Sequence, residues 1–561
     1  MEYKVENKTC QNCKKDFVIE PDDFSFYEKI GVPAPTFCPD CRLQRRLAWR
    51  NDLSFYNRTC NMCEKKIISL YHPDKPLTVY CNKCWWGDKW DPKSYGKDFD
   101  FTRPFFEQFR ELQDKVPLLS LINDDGVGSV NCEYTQNVTF AKNCYMVSMS
   151  WYSEDVMYSY SVAGPETRDV MDSLNLFYNS QIIYDSIFLE SCYDCRSCYS
   201  STGLNDCSFC VDSKGCSDCF MCVNLRQKKY CILNKQYTKE EYEKIVEGYH
   251  LETYSGNERA KKEFADFLLK EIRRYAYVVN SINSTGDLIM DCKNVKDSFV
   301  ARNSENVRFL LIGGDIKDSY DMTPAGKCEE CYEGLTPDHD YRALFSIFSL
   351  KNQEIAYVEN CHSSKHLFAC SGIKHGEYCI LNKQYTKEEY LKLKDKIIEH
   401  MKNTGEWGEF FPSDMSNFGY NETMAQEYFP LSKDEALKAG FKWWDNLQKT
   451  TGKETMPRDS IPDSINDVGD SILNETLACE KCERNYKIVK NELIFYQKYQ
   501  IPIPRKCFFC RTSERIKLQN PNKLWHRKCM NKGCQNEFET SYAPERPEII
   551  YCEQCYNKEV Y

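Results

Sequence analysis

The chain has no run of about eighteen apolar residues, so nothing in it reads as a membrane span. Its start, MEYKVENKTCQNCKKDF, lacks an apolar core segment, and no signal peptide is expected. Histidine is scarce, with eight in 561 residues. Three of them, His362, His366 and His375, lie close together, and His362 follows Cys361. Neighbours on a strand point to opposite faces, which argues against a Cys/His nucleophile. No cluster of acids recommends a hydrolase. The CxxCxxCxxxCP of a four-iron cluster is also missing, because Thr202 and Arg226 stand where its fourth cysteine would be. These absences point to a chain that is not an enzyme.

What is abundant is cysteine, 33 in all. Without an export signal the thiols belong in a reducing compartment, and the expected location is cytoplasmic. There, paired cysteines read as metal ligands rather than disulfides. A charged fraction of 28% and a mean hydropathy of -0.63 describe a water-soluble composition. The length suggests about three to five domains.

Eight pairs sit at the ends. Cys10/Cys13, Cys38/Cys41, Cys60/Cys63 and Cys81/Cys84 are separated by 24, 18 and 17 residues. Cys479/Cys482, Cys507/Cys510, Cys529/Cys534 and Cys552/Cys555 repeat the gaps of 24, 18 and 17. FYEKIGVPAP aligns with FYQKYQIPIP, YHPDKPLTVYC with YAPERPEIIYC, and Arg42 and Arg46 with Arg511 and Arg515. One module therefore occurs twice. Two CxxC turns complete a tetrahedral four-sulfur site with no open position, which makes it structural rather than catalytic. The sixteen cysteines imply about four zinc ions, each contributing roughly 10–16 kcal/mol to folding. Neighbouring pairs are the preferred ligand sets. Cross-bracing, first pair with third, is the alternative, and the 18-residue gap speaks against it.

CPDCRLQRRLAWRN reads as a knuckle opening into a helix, and LTVYCNKC and EIIYCEQC as strands entering knuckles. Both modules resemble the zinc-binding treble-clef and zinc-ribbon domains of an uncharacterised bacterial protein family. NPNKLWHRKC, AQEYFPLSKDEALKAGFKWW and YCILNKQYTKEEY are similar to that family's recurrent phrases. The resemblance implies zinc at the sixteen terminal cysteines and implies no activity.

The middle is different. Cys192, Cys195, Cys198, Cys207, Cys210, Cys216, Cys219, Cys222 and Cys231 are all separated by multiples of three. Neither a helix nor a flat strand has that period, but a solenoid can. CYDCRSC recurs as CSDCFMC after 24 residues, and NVKDSFV as DIKDSYD after 21, which suggests coils of that length. A thiol-lined core is expected, with metal in the stack as the alternative. YCILNKQYTKEEY stands at 230–242 and again at 378–390, and a shift of 148 also brings Cys144 onto Cys292. The central region thus reads as a tandem duplication. Each copy would end in an exit helix whose capping box is Thr238 with Glu241, or Thr386 with Glu389.

The predicted fold is mainly β with α connectors: a duplicated β-solenoid, parallel β-helix-like, flanked by two homologous zinc modules. The expected divisions are a module at 1–95, a helical connector at 96–125, solenoid halves at 126–237 and 284–385 around a helical insert at 238–283, a helical segment at 386–454, a linker at 455–475, and the second module at 476–561. Residues 1–90 carry 15 Lys/Arg against 12 Asp/Glu and residues 476–561 carry 16 against 10, so of the net -10 the middle holds -19. Arg42, Arg46, Arg511 and Arg515 are the candidate partner-binding residues, with Trp85, Trp86, Trp90 and Trp525 placed to stack on bases. Nucleic-acid or ribonucleoprotein binding is the first functional expectation. A protein-assembly adaptor is the alternative, and an enzyme on the solenoid face a third. No small-molecule substrate is indicated.

Overall fold

The computed structural model describes residues 3–123 and 128–561. The expected boundary between the connector and the first solenoid half lies outside the described residues. The centre of the fold is built from parallel ladders that step by twelve residues. Asn205 pairs with Ser217, Cys207 with Cys219, and Cys210 with Cys222. In the second half Gln353 pairs with Lys365 and Val358 with Cys370. A coil of twelve explains the period of three: within each coil, every third residue takes the left-handed conformation and turns a corner. Asp194, Ser197, Ser200, Gly203 and Asp206 follow one another this way, with φ between 44° and 64°. Gly, Asn and Asp tolerate that region at least cost, hence the polar corners. Corner amides also bond along the stack, Asn283 to Asn294 at 2.9 Å and Asn294 to Asn306 at 3.0 Å.

The expected coil lengths are corrected by this register. The step of 24 is two turns, and the step of 21 is not a turn at all, since Val295 stacks on Val307 and not on Ile316. The inward residues are small because each coil must seat several of them. Cys192, Cys195, Cys198, Cys207, Cys210, Cys216, Cys219, Cys222 and Cys231 are at most 2% exposed and form one apolar cluster. Their thiols donate to carbonyls of the next coil, Cys198 to Cys207 at 3.4 Å and Cys210 to Cys219 at 3.5 Å. Serines do the opposite task. Ser201 Oγ accepts from the Ser213 N–H and Ser213 Oγ from that of Leu225. The coil is not uniform in the first half, where steps of fourteen and thirteen link Leu174 to Tyr160 and to Ile187.

Each stack ends in the repeated phrase. Ile232 pairs antiparallel with Lys235, and Ile380 with Lys383. Leu233–Asn234 and Leu381–Asn382 all have positive φ, the conformation of a two-residue type I′ hairpin. Both capping boxes form, at Thr238/Glu241 and Thr386/Glu389. Cys144 and Cys292 are not equivalent, however. Cys144 shares the column of Cys231, whereas Cys292 lies one corner away from the column of Cys379.

The two stacks meet through Tyr160, Leu174 and Ile187 on one side and Phe299, Leu311 and Ile312 on the other. Arg302 donates to Glu190 across that contact at 2.6 Å. Among the connectors, Phe105–Gln113 is helical as expected, and the insert holds helices Lys239–Glu247 and Tyr254–Leu268. The segment 386–454 holds the helices Lys387–Thr404, Met424–Tyr428 and Lys433–Lys438. Segment 455–475 is not a free linker: Ile461, Ile465, Val468 and Ile472 pack into a cluster with the C-terminal module.

Candidate metal centres and arginine clamps

The first knuckle lies between strands Glu6–Thr9 and Asp16–Ile19, with Lys14 at φ 60° closing the turn. Cys38 then caps the helix Pro39–Leu47, and Cys41 sits in its first turn. The same construction carries Cys507 and Cys510 on the helix Phe508–Leu518. Neighbouring pairs come together, and cross-bracing is not seen. Cys10, Cys13, Cys38 and Cys41 form one group and Cys60, Cys63, Cys81 and Cys84 the next. Cys479, Cys482, Cys507 and Cys510 form the third, and Cys529, Cys534, Cys552 and Cys555 the fourth. Within each group all four sulfurs lie within 4.8 Å of one another.

The geometry fits a four-coordinate ion. A metal–sulfur bond of about 2.3 Å places tetrahedral sulfurs about 3.8 Å apart. Cys13 and Cys38 are 3.7 Å apart, Cys63 and Cys81 3.9 Å, Cys482 and Cys507 3.7 Å, and Cys534 and Cys552 3.9 Å. These contacts are too long for disulfides, and all 33 cysteines are free. Backbone N–H groups point at the sulfurs, Cys38 at Cys10 and Cys81 at Cys60, both 3.2 Å. Such donors favour thiolate, the form that binds metal.

The arginine helices face inward. Arg42 and Arg46 are 1% and 0% exposed, and Arg511 and Arg515 are 8% and 3%. Arg46 Nη1 donates to Asp321 at 3.0 Å and to Glu333 at 2.8 Å, while Arg42 lies 2.9 Å from Asp321. Arg515 Nη2 reaches Asp172 at 2.7 Å and Nη1 reaches Asp185 at 3.3 Å; Arg511 is 3.1 Å from Asp172. The expectation of external binding through these four residues is therefore overturned. Their guanidinium groups are consumed by carboxylates of the solenoid, which buries them.

Sequence reasoning missed the acids. Asp172 and Asp185 occupy corners of successive coils, as do Asp321 and Glu333. Asp185 and Glu333 are 148 residues apart and Asp172 and Asp321 149, the difference being the thirteen-residue coil of the first half. The two pairs are thus equivalent positions of the duplication, as the arginine pairs are of the modules. The attachment is crossed: the N-terminal module grips the second stack and the C-terminal module the first.

The base-stacking expectation fails for Trp85, which is fully buried and donates to the Pro117 carbonyl at 3.0 Å. Trp90 is covered by Lys374, 4.9 Å from its ring. Cys361 and His362 face apart, Cys361 into the solenoid core and His362 against Trp86 at 4.9 Å. Burial pushes the His362 imidazole down to about 3, so it stays neutral, and pushes the Cys361 thiol upward. His366 stacks on Tyr378 instead. No described helix is long and apolar enough to cross a membrane. Comparison with known proteins finds no matching family model, curated protein or solved structure.

Proposed function

We propose that this chain is a cytoplasmic, non-enzymatic scaffold in which four structural zinc ions shape two modules that fasten a duplicated β-solenoid. The observation that carries this reading is the pair of buried arginine clamps. A module built to bind an external partner through its basic helix would leave that helix in solvent. Here both copies bury it against the chain's own carboxylates. Zinc is the ion of choice because it accepts four thiolates without redox chemistry or an open position. The partner surface of a protein-assembly adaptor then belongs to the solenoid, whose stretch between the modules carries the acidic excess of -19. Nucleic acid becomes the lesser alternative, since the cations offered to it by sequence are occupied. The test is a pull-down of metal-loaded protein with and without nuclease, alongside direct titration with RNA and DNA at low salt. Capture of a nuclease-resistant protein partner without RNA or DNA binding supports the scaffold. Salt-dependent, tight binding of RNA or DNA overturns it.

A further inference from the structure

The two equivalent clamps are finished differently. Beside the N-terminal clamp, Arg45 lies between the rings of Phe37, at 4.5 Å, and Phe410, at 5.5 Å. It also reaches Glu333 at 3.0 Å and Glu409 at 3.3 Å. Phe410 and Phe411 are buried there and close the space. In the C-terminal module the positions of Phe37 and Arg45 are held by Lys506 and Glu514, which pair with each other at 3.0 Å. That substitution removes the aromatic plug. A cleft of about 420 Å³ lies between the module, the helix Tyr254–Leu268 and the first stack. Small-molecule sites span about 300–1,000 Å³.

The walls of the cleft divide by chemistry. Tyr184 and Tyr199 supply ring surface, and six cations, Lys261, Arg505 and Lys517 among them, outnumber the three carboxylates of Asp185, Glu258 and Glu514. Arg505 gives its Nη2 to the carbonyls of Ile461 and Pro462 at 2.9 and 3.0 Å. Its Nη1 is buried without a hydrogen-bond partner among the described residues. Neither Arg505 nor Lys517 forms an ion pair within 4.0 Å among the described residues, although Asp463 and Glu427 lie near enough to act on them electrostatically. Lys261 is ion-paired with Asp185 at 3.5 Å and Glu258 at 3.4 Å, with 40% of its side chain exposed. The Arg515 Nε on the same wall is buried and likewise unpaired.

We propose that this cleft binds a small phosphorylated molecule carrying a planar ring. A phosphate dianion balances Arg505 and Lys517, and the guanidinium fork suits its oxygens. The ring stacks on the aromatic wall. The counterpart site cannot do this, because the chain's own Arg45 and Phe410 occupy it.

The full-length, metal-loaded protein is titrated calorimetrically with phenyl phosphate, inorganic phosphate and benzoate. Phenyl phosphate is expected to bind and, at about 10 mM, to raise the unfolding temperature. Lys517→Ala and Lys261→Ala are each expected to weaken binding about tenfold, one charge-assisted hydrogen bond apiece. Lys517 is exposed and makes no ion pair within 4.0 Å among the described residues, so its removal should leave the unliganded unfolding temperature unchanged. No heat and no thermal shift with phenyl phosphate overturns the site, as does unchanged affinity in the double variant. Equal affinity for inorganic phosphate overturns the ring contact, and equal affinity for benzoate overturns the choice of phosphate.

Discussion

Arg46 and Glu333 are hydrogen-bonded at 2.8 Å in the interior although 287 residues separate them. Arg515 and Asp185, at the equivalent positions, make the mirror contact at 3.3 Å across 330 residues. A buried guanidinium is costly unless its partners are in place, so each bond fixes a module to a particular coil. The modules are therefore not appendages of the solenoid. They set its register with the rest of the chain.

Removing one clamp partner should expose that dependence. Arg515→Met leaves Asp172 with Arg511 alone and is expected to cost about 3–5 kcal/mol in chemical denaturation. Pairing it with Asp172→Asn should recover most of the loss, because the charge left behind is removed too. A double-mutant cycle showing additive losses would contradict the clamp.

The metal content should be about four ions per chain by elemental analysis. Cys38→Ser should lose one of them and loosen the N-terminal module, whose knuckle strands are only four residues each. Because that module grips the second stack, limited proteolysis should then open sites near 321–333, while the C-terminal module stays resistant. Full metal retention in the variant would refute the ligand set.

The seventeen cysteines outside the modules should resist alkylation in the native protein, since all but Cys132 are buried. Among them Cys210→Ser tests the hydrogen-bond roles. Cys210 Sγ lies 3.5 Å from the Cys219 carbonyl and 3.6 Å from that of Ser208, within an apolar cluster. The variant should cost about 1–3 kcal/mol, the desolvation of a buried hydroxyl. Rapid labelling of most core thiols would mean that the stack opens far more readily than its packing implies.

The solenoid core also predicts a pH dependence. Asp340 points inward, accepting from Ser349 Oγ and from the Asn352 N–H at 2.7 Å, with Asp338 nearby. Burial pushes its carboxyl up to about 7, and burial does the same to Glu359 beside Gln113. The folded chain then holds these protons up to about pH 7, while the unfolded chain releases them near pH 4. Between those values the native state binds more protons, so their contribution falls as pH rises through 7. Asp340→Asn should raise stability at pH 8 by up to about 4 kcal/mol and change little at pH 4. An equal effect at both pH values would exclude the titration.

The period of three was legible because thiols mark the inward phase without interruption from Cys192 to Cys231. The coil length was not, because 24 is a multiple of twelve and the corners at Asn294 and Asp315 look alike in sequence. Ligand cysteines announce themselves by spacing, since the tetrahedron demands it. Clamp acids do not: Asp172 and Glu333 sit among many exposed corner carboxylates, and only matched positions in both halves distinguish them. The duplicated arginines were read correctly as a matched feature and wrongly as a surface, because burial of a charge depends on a partner hundreds of residues away.

The crossed attachment also sets a timetable for synthesis. At about 5–20 residues per second, the 287 residues between Arg46 and Glu333 take about 15–60 s to emerge from the ribosome. For that interval the carboxylates of Asp321 and Glu333, which bury the arginine helix in the finished fold, are not yet present. The C-terminal module is made after Asp172 and Asp185, the acids it grips. The nascent chain thus passes through a stage in which the arginine helix of one module is still unsheltered.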